Sequence, residues 1–105
     1  MKDYSVYILS NSAAILYIGI TSDLTNRLVQ HRDHPDPDSF ASRYNLHRLV
    51  FVETYPTARQ AIAREKQLKS WTRVKKLKLI RAQNPEWRDL SVNYMPPPDS
   101  TLSGS

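Results

Sequence analysis

The chain has 105 residues, 40% of them hydrophobic and 24% charged, with fifteen Lys and Arg against ten Asp and Glu for a net charge of +5. That length suits one core and leaves no room for a second. The lack of cysteine excludes disulfides, thiolate catalysis and cysteine-based zinc sites and accords with a reducing cytoplasm, the expected location; no stretch nears the roughly 18 consecutive apolar residues of a membrane span.

Tyr4 to Leu9 alternates Tyr4, Val6, Ile8 against Ser5, Tyr7, Leu9, which is the period of a strand, and Ile15 to Ile20 is a second short β-branched and aromatic run. The connector Ser10 to Ala14 has hairpin length, so the two strands are expected to be antiparallel neighbours. A register that sets Leu9 opposite Ile15 also sets Tyr7 opposite Tyr17, and directly opposed residues share a face. A slip of one residue would part the two phenols.

Next, Thr21, Ser22 and Asp23 offer N-cap side chains ahead of a helix that should stop near Pro35. Leu24 and Leu28 share one face of it, and Arg27 and His31, also four apart, form a second stripe. His34 to Ser39 carries two prolines and reads as loop. Leu49 to Thr54 has the composition of a third strand, after which Thr57 is placed to cap a long helix from about Ala58 to Trp71, with a second helical stretch through Ile80. The domain is expected over residues 1–92 and a flexible Pro/Ser-rich tail over residues 93–105.

Between Arg64 and Arg81 the chain has eight basic residues and a single acid, Glu65. A solvated helix face usually interleaves both signs, so this bias points to an anionic partner, nucleic acid foremost, with Lys66, Lys69, Arg73, Lys75 and Lys76 as phosphate contacts. Glu65 falls on the stripe of Ala58, Ile62 and Leu68, where a carboxylate is costly unless paired or metal-bound. It is therefore either an ion pair with a neighbouring base or a functional carboxylate. A zinc site from His31, His34 and Asp36 or Asp38 is disfavoured by the proline-broken loop and the absence of cysteine. Trp71 and Trp87 are expected in the core, not on an adaptor patch.

The order Ser5-Val6-Tyr7, Tyr17-Ile18-Gly19, Arg27 on the next helix and Glu65 on a later one resembles the GIY-YIG endonucleases over roughly Tyr4 to Leu90. Phe40 to Tyr44, Arg64-Glu65-Lys66 through Trp71, and Asn84-Pro85-Glu86-Trp87 are similar to the stand-alone, single-domain bacterial branch of that superfamily. The resemblance implies an α+β fold, a small three-stranded antiparallel sheet flanked by helices. It also implies a metal-dependent endonuclease-like domain hydrolysing phosphodiester bonds in nucleic acid, DNA ahead of RNA, with a non-catalytic nucleic-acid-binding module as the alternative. In that reading Tyr7 and Tyr17 line the cleft, Arg27 is the helix arginine, His31 works one turn beyond it, and Glu65 holds one Mg²⁺ or Mn²⁺. The chain departs from the family in reading Ser-Val-Tyr for Gly-Ile-Tyr and in having no asparagine near residues 74–78, about three turns after Glu65. Asn84, beside Pro85, is not assigned that place.

Overall fold

The computed structural model describes residues 3–95. Strands β1 (Tyr4–Ser10), β2 (Leu16–Thr21) and β3 (Arg48–Tyr55) form one antiparallel sheet in the order β2-β1-β3. Because β1 is central, both halves of its alternation are buried. Val6 and Ile8 face a cluster with Ile18, Phe51, Ala61, Leu68 and Ile80, whereas Tyr7 and Leu9 face one with Leu24, Leu28, Leu46 and Leu49. Helices α3 (Ala58–Ser70) and α4 (Arg73–Gln83) cover the first face; α1 (Leu24–Asp33) and the short α2 (Phe40–Arg43) cover the second. This is the α+β arrangement the sequence led us to expect. Trp71 and Trp87 both pack, partly buried, against the first cluster.

The hairpin register differs from expectation by two residues. Leu9 pairs with Tyr17 and Tyr7 with Gly19, instead of Leu9 with Ile15. The cause is Asn11. Its side-chain oxygen accepts from the amides of Ala13 at 2.9 Å and Ile15 at 3.1 Å, which takes the Ile15 N–H out of the ladder and lengthens the loop. An even shift keeps Tyr7 and Tyr17 on one face, as diagonal and not opposed neighbours.

Strand β3 carries an extra residue beside the Ile8/Leu9 step, where Ile8 pairs with Phe51 and Leu9 with Leu49. Its outer edge would be open to pairing by another chain, but side chains from the C-terminal segment satisfy it. Gln83 receives the Val52 amide at 3.1 Å and donates to the Val52 carbonyl at 2.9 Å. The buried Asn84 donates to the Val50 carbonyl at 3.2 Å, and Asp89 accepts from the Leu49 amide at 3.1 Å.

Two short elements have no counterpart in the sequence reading, α2 and a 3₁₀ turn at Leu90–Asn93, since four residues are too few to show a period. Met95 packs against the second core cluster. The remainder of the expected tail, residues 96–105, lies outside the described residues.

Candidate active site

Tyr7 is placed by the sheet and by a missing side chain. A Cβ on Gly19, its cross-strand partner, would lie 2.5 Å from both Cζ and Oη of Tyr7 and 3.0 Å from Cε2 of Tyr17. Gly19 does not have positive φ, so space and not backbone freedom requires the glycine. The Tyr7 ring thus lies flat across β2, with its centroid 6.4 Å from that of Tyr17 and the planes tilted by 50°.

The next helix brings basic groups to the same place. Asp23 caps α1 by accepting from the Asn26 amide at 3.1 Å, and Leu24 and Leu28 anchor it in the core. With that face buried, Arg27 and His31 project beside it into a cleft of about 280 Å³. Tyr7, Tyr17, His34, Asp36 and Phe40 complete the walls. His34 and Asp36 stand on the proline-rich loop, which has no period to read, and Phe40 opens the four-residue α2, which is too short to show one.

Burial pushes the Tyr7 phenol up to about 12, with Tyr17 and the Glu65 charge acting in the same sense and Arg27 opposing. Tyr7 is therefore a neutral hydrogen-bond donor at ordinary pH. Burial also lowers the His31 pKa, aided by His47, whose ring centroid is 5.9 Å away, while the hydrogen bond to the Leu46 carbonyl works against it. That bond, from Nε2 at 3.0 Å, needs a proton on Nε2 because a carbonyl only accepts. Nδ1 of the neutral ring is left to accept a proton.

Glu65 does not line this cleft. It does lie close enough for its charge to bear on the Tyr7 hydroxyl. The stripe inferred from sequence needs correction: Ile62 is exposed, and the buried positions of α3 are Ala61 and Leu68, with Glu65 four residues after one and three before the other. Its side chain is 17% exposed and pairs with Lys69 at 3.6 Å, so it is not an uncompensated carboxylate. Lys69 is 56% exposed and free to move away. Among the described residues no three His, Cys, Asp or Glu side chains gather to form a metal cage. A lone, reachable carboxylate suits a hard cation such as Mg²⁺ that keeps most of its water, and suits zinc poorly.

The basic run is divided in its duties. Arg73 donates to the Ala14 carbonyl in the β1–β2 loop, and Lys75 sits 4.2 Å from the centroid of the Trp71 ring. Lys69 and Lys76 instead line a groove with Leu16, Tyr17, Ile18 and Phe40, next to the cleft. Lys66 is exposed on α3.

Sheet, helices and cleft together define a small α+β domain with a basic, tyrosine-lined cleft. Residues 3–78 match the GIY-YIG catalytic domain family, and the chain belongs to it. Within that class it is similar to UPF0213 proteins of Staphylococcus aureus, among them those of strains Mu3 and N315, each 36% identical over 81 residues that cover 77% of this chain and 98% of the relative. The solution structure of a UPF0213 protein from Bacillus halodurans has the same fold, with a TM-score of 0.56 and 24% identity over 83% of this chain and 92% of that one. GIY-YIG domains are those of endonucleases, which act on nucleic acid and generally use divalent metal ions. No helix among the described residues is long and apolar enough to cross a membrane.

Proposed function

We propose that this domain is a divalent-metal-dependent endonuclease that hydrolyses phosphodiester bonds in nucleic acid, DNA ahead of RNA. The observation that supports it best is the meeting of Tyr7, Tyr17, Arg27 and His31 in one cleft, with the Glu65 charge bearing on the Tyr7 hydroxyl. Hydrolysis needs a group to take a proton from water, positive charge around the phosphorane-like transition state, and help for the departing oxygen. Arg27 grips two phosphate oxygens with its planar fork. Tyr7, held neutral, donates a hydrogen bond that orients the reacting oxygen, and Tyr17 at the cleft wall stands beside the attacking water. His31, neutral with Nδ1 free, accepts the proton. Glu65 would hold a Mg²⁺ or Mn²⁺, which when bound would supply positive charge to the phosphate.

The Glu65–Lys69 ion pair favours a second reading, a non-catalytic module that binds nucleic acid by phosphate contacts alone. Nicking of plasmid and of single-stranded, duplex and branched oligonucleotides in Mg²⁺ or Mn²⁺, with Glu65→Gln alongside, separates the two. The nuclease reading expects metal-stimulated cleavage that disappears in the variant. Binding without cleavage of any substrate gives the second reading the case.

A further inference from the structure

Tyr17 and Phe40 line both hollows of the site, the cleft that holds Arg27 and the neighbouring groove that holds Lys69 and Lys76. They form the divide between the two. The Tyr17 and Phe40 rings are close to parallel, 29° apart with centroids separated by 6.2 Å, and the Tyr44 ring is tilted by 44° against Phe40 with centroids 4.7 Å apart. Phe40 and Tyr44 remain 46% and 44% exposed. Two large aromatic rings side by side in water are a cost to a monomer unless something covers them. The short helix that carries them is also pinned: Ser39 caps it by accepting from the Ser42 amide at 3.1 Å, and Asn11 donates to the Tyr44 carbonyl at 2.6 Å. These two bonds hold the backbone beneath the rings.

What covers it is constrained by the charges at its two ends. Arg27 lies on one side of the divide and Lys69 and Lys76 on the other, so an occupant that crosses it is anionic at both ends and flat and apolar between. A nucleotide strand has that form: phosphate, base, phosphate. In a duplex the face of each base is already stacked on its neighbours, so only an unpaired base has a face to offer. We propose that Phe40, backed by Tyr17 and flanked by Tyr44, stacks one unpaired nucleobase adjoining the phosphate gripped by Arg27, which makes single-stranded nucleic acid the substrate class of this site. The assignment rests on the nuclease reading of the cleft. The strand then runs from the Arg27 cleft across Phe40 into the groove, where Lys69 and Lys76 take the next phosphate. Phe40 is a specificity-determining contact in this arrangement, at the wall of the cleft but with no part in the chemistry.

The test is equilibrium binding without divalent metal, so that cleavage does not intrude, of a single strand containing 2-aminopurine and of its duplex. Wild type is expected to bind the single strand at least tenfold more tightly and to quench the 2-aminopurine. Phe40→Ala should weaken single-strand binding by roughly tenfold, the worth of one stacked base, abolish the quenching, and leave duplex affinity unchanged. Phe40→Trp, which keeps a stacking face, should restore both signals. A wild type that prefers the duplex, or a Phe40→Ala variant that weakens both substrates equally or neither, overturns the platform. If that happens while metal-stimulated cleavage still depends on Glu65, the nuclease reading survives alone. A wild type that binds neither substrate also overturns the platform, and the metal-stimulated cleavage assay then decides the nuclease reading by itself.

Discussion

Gly19 and Tyr7 occupy one space: the Tyr7 ring lies where a side chain on Gly19 would begin, with Cζ and Oη 2.5 Å from the position of a Cβ. Tyr7 is buried against Leu9 and Leu24, so its ring can relieve the clash only by swinging away from Gly19 into the cleft, out of its packed position beside Tyr17. Gly19→Ala should therefore destabilise the domain by about 1–3 kcal/mol, the usual cost of overpacking. In a Tyr7→Leu background, which shortens the obstructing side chain, the same change should cost less than about 1 kcal/mol. Urea unfolding of the four proteins of this cycle measures the coupling, and additive effects would show that the two residues do not compete.

A phenol held at about 12 by burial titrates later than its free counterpart near 10. Folding favours its neutral form, so its contribution to stability is complete below pH 10 and is lost as pH rises from 10 towards 12. An alkaline absorbance titration of the six tyrosines should show a late class, and Tyr7→Phe should remove one member of it. Tyr55, which also titrates late because of burial and the Glu53 carboxylate, must persist in that variant. Loss of no late-titrating group in Tyr7→Phe would mean that the Tyr7 hydroxyl is more open to water than the fold implies.

The two halves of the basic run should respond differently to loss of charge. Lys76→Gln removes a cation from the groove beside Tyr17, so nucleic-acid binding should weaken and the slope of log K against log salt should flatten by about 0.7–0.9 for each phosphate that is no longer neutralised. Lys75→Gln removes a cation from the Trp71 ring and should lower stability by about 0.5–1 kcal/mol with little change in that slope. Salt titrations and thermal unfolding of both variants check this. Equal salt slopes for the two would show that the run acts as one undivided charged surface.

Strands, helices and caps were legible from sequence because each is fixed within a few residues. The alternation of Tyr4 to Leu9, Asp23 ahead of Leu24, and Thr57 ahead of Ala58 carry their own geometry. What escaped were relations set by distant side chains. The hairpin register turns on Asn11, whose amide serves the loop and also reaches Tyr44, 33 positions away. The stripe on α3 was misplaced by Ile62, an apolar residue that the fold leaves in water. Phe40 lies beyond a proline-rich loop, and only the packing of α2 beside Tyr17 brings it to the cleft. Asn84, beside Pro85, is a buried clip that accepts from the Arg88 amide at 3.0 Å and donates to the Val50 and Arg88 carbonyls.

The sharpest test of Glu65 separates its possible duties by using stability, titration and turnover together. Its ion pair with Lys69 spans one helical turn, and Lys69 is largely in water, so the pair contributes no more than about 0.5 kcal/mol after solvent screening. Glu65→Ala should thus unfold within about 0.5 kcal/mol of wild type, whereas Leu68→Ala, three positions on and fully buried, should cost about 2–5 kcal/mol. The same Glu65→Ala change removes a negative charge that raises the Tyr7 pKa, so the late tyrosine class should titrate earlier than in wild type. That shift reports on proximity alone and needs neither metal nor substrate. Metal-stimulated cleavage should disappear in the same variant. A Glu65→Ala protein that unfolds as readily as Leu68→Ala would make the carboxylate a structural element. One that leaves the Tyr7 titration untouched would place Glu65 too far from the cleft to serve it.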